Sequence, residues 1–249
     1  MRKTAVAIAA AAAVLAGCGS GSSGKPQLTV FAATSLKNAF QAYGDSFTPA
    51  KVRFSFAGSD ELAAQIRQGS TPDVYAAANT KLPQQLFAKS LVERPDVFAA
   101  NRLVLAVPAG ADKVKSLNDV AKPGVTVAVG APSVPVGSYT RQVLARLGPG
   151  ESKAVLKNVK SEEPDVGGVV GKLTQGAVDA GFVYITDVTA TKGKLKAIEL
   201  PARLQPVVQY AAAVVRGTSR AAQARQFIAG LTGGAGKNDL LAAGFAAPR

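Results

Sequence analysis

The sequence predicts an α/β fold, and three observations support this prediction. Short runs rich in valine, isoleucine and phenylalanine alternate with stretches of helical period along most of the chain. Glycine, proline and serine separate these runs, as expected at turns. The strands and helices alternate one by one, which is typical of a mostly parallel sheet with helices on both faces. The 249 residues suffice for one large domain or two small ones.

The first half of the chain contains three predicted strand–helix pairs, in which β-branched or alternating runs are followed by amphipathic segments. We predict strands at 28–31, 52–56 and 73–77, each followed by a helix, at 35–43, 59–68 and 81–89. A further strand at 103–107 leads into Pro108 and a lysine-rich turn.

The second half repeats this alternation with longer loops. The predicted strands are 125–129, 181–185, 195–200 and 207–215, and the predicted helices are 136–147, 163–175, 219–231 and 237–243. The pattern alone therefore indicates an α/β protein, but it does not divide the chain into lobes.

The N-terminus has the features of a secretion signal. Arg2 and Lys3 precede an apolar run at 5–16, which is shorter than the roughly 20 residues needed to span a bilayer. Leu15-Ala16-Gly17-Cys18 and the glycine- and serine-rich stretch after it resemble a bacterial lipoprotein signal. The resemblance implies a signal peptide at 1–17, a diacylated Cys18, a tether at 18–26 and a location on the outer face of the cell membrane. The alternative is that Cys18 is an ordinary small residue within a cleaved signal.

The composition excludes several classes of function. The net charge is +13, but the lysines and arginines are scattered and no nucleic-acid-binding motif is present, so we expect no nucleic-acid partner. We interpret the charge mainly as a solvated surface above acidic lipids. The sequence has no histidine, which removes histidine-based triads and metal sites. Cys18 is the single cysteine, so no disulfide can form within the chain.

Two serines follow predicted strands and open predicted helices. Ser35 follows the strand at 28–31, and Ser59 follows the strand at 52–56. Serine at this position can cap a helix by accepting from a backbone N–H group. The same turn directs free N–H groups outward and can bind an anion at the edge where ligands meet open α/β sheets. Capping and anion binding both remain open here.

Three later positions could add to such a site. Val136 follows Pro135 at a helix start, where the first N–H groups have no partner within the helix. Val166 follows Pro164-Asp165 at another predicted helix start. Tyr184 lies in a predicted strand, and a buried tyrosine hydroxyl needs a partner, which protein or ligand can supply.

Five segments together resemble the periplasmic molybdate-binding proteins of ABC transporters, in the family's order and over nearly the whole mature chain. They are Phe31-Ala32-Ala33-Thr34-Ser35-Leu36, Phe56-Ala57-Gly58-Ser59-Asp60-Glu61-Leu62-Ala63, Pro72-Asp73-Val74-Tyr75-Ala76-Ala77-Ala78, Val134-Pro135-Val136-Gly137 and Gly181-Phe182-Val183-Tyr184-Ile185-Thr186-Asp187.

The resemblance implies a type II periplasmic-binding-protein fold of two lobes joined by two crossing strands. Lobe 1 would contain 27–106 and 210–249, and lobe 2 would contain 107–209. Molybdate would be held by the hydroxyls of Ser35 and Ser59, the N–H groups of Val136 and Val166, and the hydroxyl of Tyr184, with possible N–H donors at Thr34 or Asp60. The metal enters as an oxyanion, so no cation ligands and no cofactor are expected. The implied partners are the permease subunits and, through the lipid anchor, the membrane, and we expect a monomer.

Two departures from the family pattern raise questions. Asp60 occupies a position where a small polar residue is more usual, and we expect its carboxylate to point to solvent and complement the helix dipole. Gly167-Gly168 lies within a predicted helix, where each glycine costs roughly 1 kcal/mol relative to alanine and could loosen the helix.

Three alternative functions stay open at this point. The cargo could be tungstate, sulfate or another oxyanion. A serine hydrolase could use Ser59 or Ser138, although without histidine it would need a lysine as base. Ferric iron could be bound through Tyr75, Tyr139 and Tyr184, although no supporting carboxylate cluster is evident.

Overall fold

The computed structural model describes residues 24–248 and consists of two five-stranded sheets with helices packed on them. The predicted signal peptide, Cys18 and most of the predicted tether lie outside the described residues. Within residues 24–248, no helix is both long enough and apolar enough to span a membrane.

The strands and helices alternate along the chain, as the sequence predicts. The strands are β1 Gln27–Ala33, β2 Lys51–Ala57, β3 Val74–Ala77, β4 Asp96–Asn101, β5 Leu103–Pro108, β6 Val127–Gly130, β7 Val159–Glu163, β8 Ala180–Tyr184, β9 Leu195–Glu199 and β10 Val208–Val214. The helices are α1 Lys37–Ser46, α2 Ser59–Arg67, α3 Lys81–Ala88, α4 Pro135–Leu147, α5 Pro149–Lys157, α6 Val166–Thr174, α7 Ile185–Ala190, α8 Ala221–Gly233 and α9 Ala235–Ala242. Short 3₁₀ turns cover Thr34–Leu36, Leu117–Ala121 and Ala202–Leu204.

Each sheet forms the centre of one lobe, and the two sheets have the same design. Lobe 1 has the strand order β2-β1-β3-β10-β4, and lobe 2 has the order β7-β6-β8-β5-β9. In each sheet one strand, β10 or β5, runs against the other four. The predicted α/β fold is therefore confirmed, since four of the five strands in each sheet run in the same direction. Because the fifth strand lies inside the sheet, half of the neighbouring pairs are antiparallel.

The chain crosses between the lobes twice. The first crossing is at Arg102, between β4 and β5, and the second follows β9 and ends at β10. The predicted lobe boundary at residue 106 is too late, because β5 already pairs with β8 of lobe 2. The predicted boundary at 210 falls inside β10, which begins at Val208 in lobe 1.

The two lobes share a continuous cluster of buried apolar side chains. In lobe 1 this cluster is aromatic: the rings of Phe40 and Phe227 meet edge to face with centroids 5.6 Å apart, and Phe227 also contacts Tyr43 and Phe47. In lobe 2 it consists mainly of valine and leucine from the strands and from the helices packed on them. Such packing holds the strand ends, and therefore the loops after them, in fixed positions.

Some elements differ from the prediction. The structure contains β4, β7 and α5, which the sequence pattern did not predict, and the predicted helix at 163–175 begins only at Val166, because Glu163 ends β7. β7 is an edge strand of sequence Val-Lys-Ser-Glu-Glu, and its exposed polar residues weaken the apolar signal of a strand.

Candidate functional site

The two serines lie at neighbouring strand ends of lobe 1. Ser35 lies in the 3₁₀ turn after β1, and Ser59 is the first residue of α2, directly after β2. β1 and β2 are parallel neighbours, so their carboxyl ends meet at one edge of the sheet. The Ser59 side chain is 1% exposed, and its Oγ accepts a hydrogen bond of 3.1 Å from the N–H group of Ala78. Its own proton therefore remains available to another acceptor.

Neither serine acts as the helix cap that the sequence allowed. The N-cap of α2 is Gly58, the 3₁₀ turn begins after Ala33, and neither start has a side-chain capping bond. Ser35 Oγ instead accepts a hydrogen bond of 3.0 Å from the hydroxyl of Tyr210. Both hydroxyls are thus held by groups outside their own helices.

Lobe 2 contributes the first turns of two helices. Pro135 is the first residue of α4 and Val136 the second, so the N–H of Val136 is one of the groups without a partner inside the helix. Val166 is the first residue of α6, and the Asp165 side chain caps this helix by accepting from Gly168 N–H at 3.0 Å. The valine side chains are buried, at 2% and 5% exposure, so the helix starts are fixed by packing.

Tyr184 ends β8 and is 1% exposed. Its hydroxyl is buried and has no hydrogen bond of normal geometry within residues 24–248. Burial raises the pKa of Tyr184 well above the ordinary value, and the nearby Tyr210 raises it further, so the phenol stays protonated. A buried hydroxyl without a partner costs stability, and a group bound in the cavity would supply that partner.

Beside Tyr184 lies a carboxyl group with an unusual pKa. Asp187 accepts a hydrogen bond of 3.0 Å from the backbone N–H of Tyr184. Desolvation nevertheless raises the pKa of Asp187 to about 7. The group therefore carries only part of a negative charge near neutral pH.

These groups surround one small cavity between the lobes. The space open to the centre of a water molecule is about 20 Å³, more than the roughly 10–15 Å³ that one water requires. The lining residues are Ala33, Thr34, Ser35, Ala57, Gly58, Ser59, Ala78, Val134, Pro135, Val136, Asp165, Val166 and Tyr184. All five residues predicted to hold the anion, Ser35, Ser59, Val136, Val166 and Tyr184, therefore lie around one space of the size of a small ion.

The two possible additional residues differ. Thr34 lines the cavity, and its Oγ1 is buried without a partner among the described residues. Asp60 does not line the cavity, but the expectation that its carboxylate points to solvent is wrong for one oxygen: Oδ1 is buried, also without a described partner. This Oδ1 atom lies next to Gly58, 3.0 Å from where a Cβ atom of Gly58 would stand.

Glycines allow the lobes to approach each other around the cavity. A Cβ atom on Gly58 would stand 2.5 Å from the carbonyl oxygen of Pro164 in the other lobe. A Cβ atom on Gly167 would stand 2.8 Å from Cγ2 of Thr34. Gly167 and its neighbour Gly168 lie within a regular α6, so they serve close packing and do not disrupt the helix.

The electrostatics of the cavity suit an anion held by neutral donors. Among the described residues, its lining includes no lysine or arginine, and its one carboxylate is Asp165, which caps α6. Hydroxyl and N–H donors at helix starts stabilise an anion through hydrogen bonds and the helix dipole. Ala78, whose N–H fixes Ser59, was not predicted as a site residue, because a backbone contact of this kind leaves no signal in the residue type.

The alternative chemistries find little support in this geometry. Ser59 has no basic side chain in the cavity lining, and Ser138 is exposed and outside it. Of the three tyrosines considered for iron, only Tyr184 lines the cavity, whereas Tyr75 donates a hydrogen bond of 2.7 Å to the carbonyl of Ser59. Residues 24–248 contain no group of three or more Cys, Asp or Glu residues arranged to hold a metal ion.

Comparisons with known proteins agree with this architecture. Residues 28–246 match the family model described as bacterial extracellular solute-binding protein. The molybdate-binding protein ModA of Mycobacterium tuberculosis is 39% identical over 231 residues, covering 90% of this chain and 86% of that protein. The putative ABC transporter substrate-binding lipoprotein YvgL of Bacillus subtilis is 30% identical, with 91% of each chain covered.

Among solved structures, the periplasmic molybdate-binding protein of Azotobacter vinelandii has the same fold, with a TM-score of 0.80 and 24% identity, covering 89% of this chain and all of that one. The family match and the two relatives extend over both lobes and all the cavity-lining segments. The chain therefore belongs to the bacterial extracellular solute-binding protein family, as a member of the ModA type.

Proposed function

We propose that this protein captures molybdate in the cavity between its lobes and delivers it to an ABC importer. One observation carries the proposal: the buried Tyr184 hydroxyl has no hydrogen bond of normal geometry among the described residues, and Tyr184 lines the cavity together with two serines and two helix starts. A dianion satisfies all of these donors at once. The relatives named as molybdate-binding proteins support the choice of cargo. A member of this family is a binding protein and not an enzyme.

Each predicted site residue has one role in this proposal. Ser35, Ser59 and Tyr184 donate their hydroxyl protons to the anion, and Val136 and Val166 donate backbone N–H groups. Thr34, through its N–H group or its hydroxyl, adds a further donor, and the N–H of Asp60 in the first turn of α2 is another candidate. The protein needs no cofactor for this task, because the metal arrives inside the oxyanion.

The identity of the cargo rests on size as well as charge. Molybdate, tungstate and sulfate are all tetrahedral dianions that only accept hydrogen bonds, so the same donors suit all three. Sulfate is the smallest, and a rigid cavity would bind it with longer hydrogen bonds. We therefore expect molybdate and tungstate to bind with similar affinity, and sulfate to bind more weakly.

Titration calorimetry with molybdate, tungstate, sulfate and phosphate tests this proposal. Tyr184→Phe should weaken molybdate binding about 10- to 100-fold, since a hydrogen bond to a charged group contributes roughly 1.5–3 kcal/mol. Tyr43→Phe is the matched control, because Tyr43 lies in the lobe 1 core and its hydroxyl donates to the carbonyl of Phe227 at 3.2 Å. Tight sulfate binding without a molybdate signal, or equal affinities of the two variants, would contradict the proposal.

We also propose that the protein is exported and anchored to the membrane through diacylated Cys18, and that it works there as a monomer with the permease. The support is the segment Leu15-Ala16-Gly17-Cys18 and the relative named as a lipoprotein. Labelled palmitate should enter the full chain and be lost in Cys18→Ala, which should also leave the membrane fraction. Equal labelling of both chains would reject the anchor and leave the binding proposal untouched.

A further inference from the structure

Ser35 is connected to the interior of the protein by a chain of hydrogen bonds. Tyr210 of β10 is completely buried, and its hydroxyl donates to Ser35 Oγ at 3.0 Å. Asn101, the last residue of β4 and 8% exposed, has its Nδ2 3.4 Å from the oxygen of Tyr210. The same Nδ2 donates to Oγ1 of Thr186 at 2.9 Å. Hydrogen bonds thus connect Ser35, through Tyr210, to Asn101 at the end of β4, the strand that leads into the crossing between the lobes.

One backbone contact determines the orientation of the Asn101 amide in this chain of hydrogen bonds. Asn101 Oδ1 lies 2.8 Å from the N–H group of Arg102, which can only donate, so this oxygen must face Arg102. The amide NH₂ group therefore faces Tyr210 and Thr186, where it can only donate. The hydroxyl of Tyr210 accepts from Asn101 and donates its single proton to Ser35 Oγ. Ser35 Oγ then accepts from Tyr210, which leaves its own proton free for the cavity.

We propose that Asn101 and Tyr210 are positioning residues that orient Ser35 as a donor to the bound oxyanion. The inference rests on the proposed function, since it assigns Ser35 to the same site. A fully deprotonated tetrahedral anion accepts hydrogen bonds on every oxygen, whereas hydrogen phosphate and hydrogen arsenate carry a proton that needs an acceptor. With the relay intact, the Tyr210 proton occupies one lone pair of Ser35 Oγ and the Ser35 proton is directed to the cavity, so Ser35 favours a deprotonated oxygen over a protonated one and the relay selects against protonated anions.

The relay also connects the two lobes. Ser35 and Tyr210 belong to lobe 1, Thr186 lies in the first turn of α7 in lobe 2, and Asn101 directly precedes the crossing at Arg102. Because Thr186 accepts from the same Asn101 amide, the amide is held from both lobes in this arrangement. All the hydrogen bonds that orient Ser35 as a donor are therefore present when the lobes adopt the arrangement that encloses the cavity.

Competition calorimetry on Tyr210→Phe tests the relay, with molybdate as the deprotonated anion and hydrogen arsenate and hydrogen phosphate as the protonated ones, at mildly alkaline pH. Without the Tyr210 proton, the Ser35 hydroxyl can rotate and accept. We expect the ratio of arsenate to molybdate dissociation constants to fall by about ten-fold, the equivalent of one hydrogen bond. Tyr43→Phe, another buried tyrosine of lobe 1, should keep the wild-type ratio.

Asn101→Asp provides a second test that does not depend on Tyr210→Phe folding. It keeps the shape of the side chain but replaces the donor to Tyr210 with an acceptor, which draws the Tyr210 proton away from Ser35. The ratio of arsenate to molybdate dissociation constants should again fall. An unchanged ratio in a folded variant, or an equal loss of affinity for every anion, would overturn the relay. Failure of the proposed function is distinguishable, because it would appear as absent molybdate binding in the wild-type protein.

Discussion

At the scale of single residues, the site is determined by where each proton points. Ser59 already accepts from Ala78 N–H, so its hydroxyl is left to donate. Tyr184 stays protonated because burial raises its pKa. Hydroxyls oriented as donors favour deprotonated oxyanions, whose oxygens all accept hydrogen bonds, over protonated anions, which also need an acceptor. Asp187, next to Tyr184, is the residue in this region whose charge changes near neutral pH.

The stability of the protein should therefore depend on pH through Asp187. Its pKa rises from 3.8 to about 7 on folding, so between these values the folded protein keeps a proton that the unfolded chain has lost. The free energy of unfolding should thus decrease as pH rises towards about 7, by up to about 1.4 kcal/mol per pH unit, and level off above it. Urea unfolding at several pH values between 5.5 and 8 measures this slope.

Asp187→Asn is the control for this pH dependence, because it keeps the shape of the side chain and cannot ionise. The sequence has no histidine, the side chain that ordinarily titrates in this range, so the background slope should be small. The variant should be nearly insensitive to pH where the wild-type protein loses stability. If the free energy of unfolding depended on pH in the same way in both proteins, Asp187 would be ionised throughout the range.

The five main site residues line one cavity. The pattern of strand ends and helix starts marked the segments in which they lie, whereas their assignment to one anion came from the resemblance to the molybdate-binding family. The pattern allowed Ser35 and Ser59 to be helix caps, whereas both hydroxyls accept bonds from residues distant in sequence. It also passed over Tyr210, although a tyrosine inside an apolar strand gives the same signal as Tyr184. Long-range partners follow from strand order, which a single sequence does not reveal.

At the scale of elements, two helix starts in lobe 2 carry the backbone donors. The first turn of α4 lies close against the loop after β6: a Cβ atom on Gly137 would stand 2.0 Å from the carbonyl oxygen of Ala131 and 2.3 Å from that of Gly130. Only glycine permits this approach, which places the N–H of Val136 beside the cavity. The sequence motif Val134-Pro135-Val136-Gly137 is thus explained by packing.

Gly137→Ala should move the start of α4 and with it the donor of Val136. We expect molybdate affinity to fall at least ten-fold and the melting temperature to decrease, since overpacking against backbone costs about 1–3 kcal/mol. Gly150→Ala, in the first turn of α5, is the matched control, because a Cβ atom there has no neighbour within 4 Å. Calorimetry measures the molybdate affinity of both variants, and thermal unfolding measures their melting temperatures. Equal affinities would show that the close packing of Gly137 does not position the Val136 donor.

At the scale of the whole molecule, the cavity exists because two similar lobes meet at their strand ends. The antiparallel strands β5 and β10 lie inside the sheets and next to the two crossings, so each lobe is joined to the other through its own core. The alternation of strands and helices predicted this α/β architecture, but not the exact crossing points. The first crossing, at Arg102, differs from the predicted boundary because the pattern predicted no strand at β4. The second boundary differs although a strand was predicted at 207–215, because the lobe boundary was set at 210, inside that strand.

The glycine contacts between lobes predict how closure and affinity are coupled. Gly167→Ala places a methyl group against Cγ2 of Thr34 in the opposite lobe, so it should oppose the arrangement that encloses the anion. Gly171→Ala, in the same helix, meets nothing within 4 Å. Alanine favours the helix by about 1 kcal/mol over glycine, so both ligand-free variants should melt no lower than the wild-type protein. Only Gly167→Ala should bind molybdate about ten-fold more weakly, because a ligand that stabilises the closed arrangement must also meet its steric cost. Scattering measurements should show that Gly167→Ala stays more open with molybdate present, and equal affinities of the two alanine variants would mean that the lobes close without this contact.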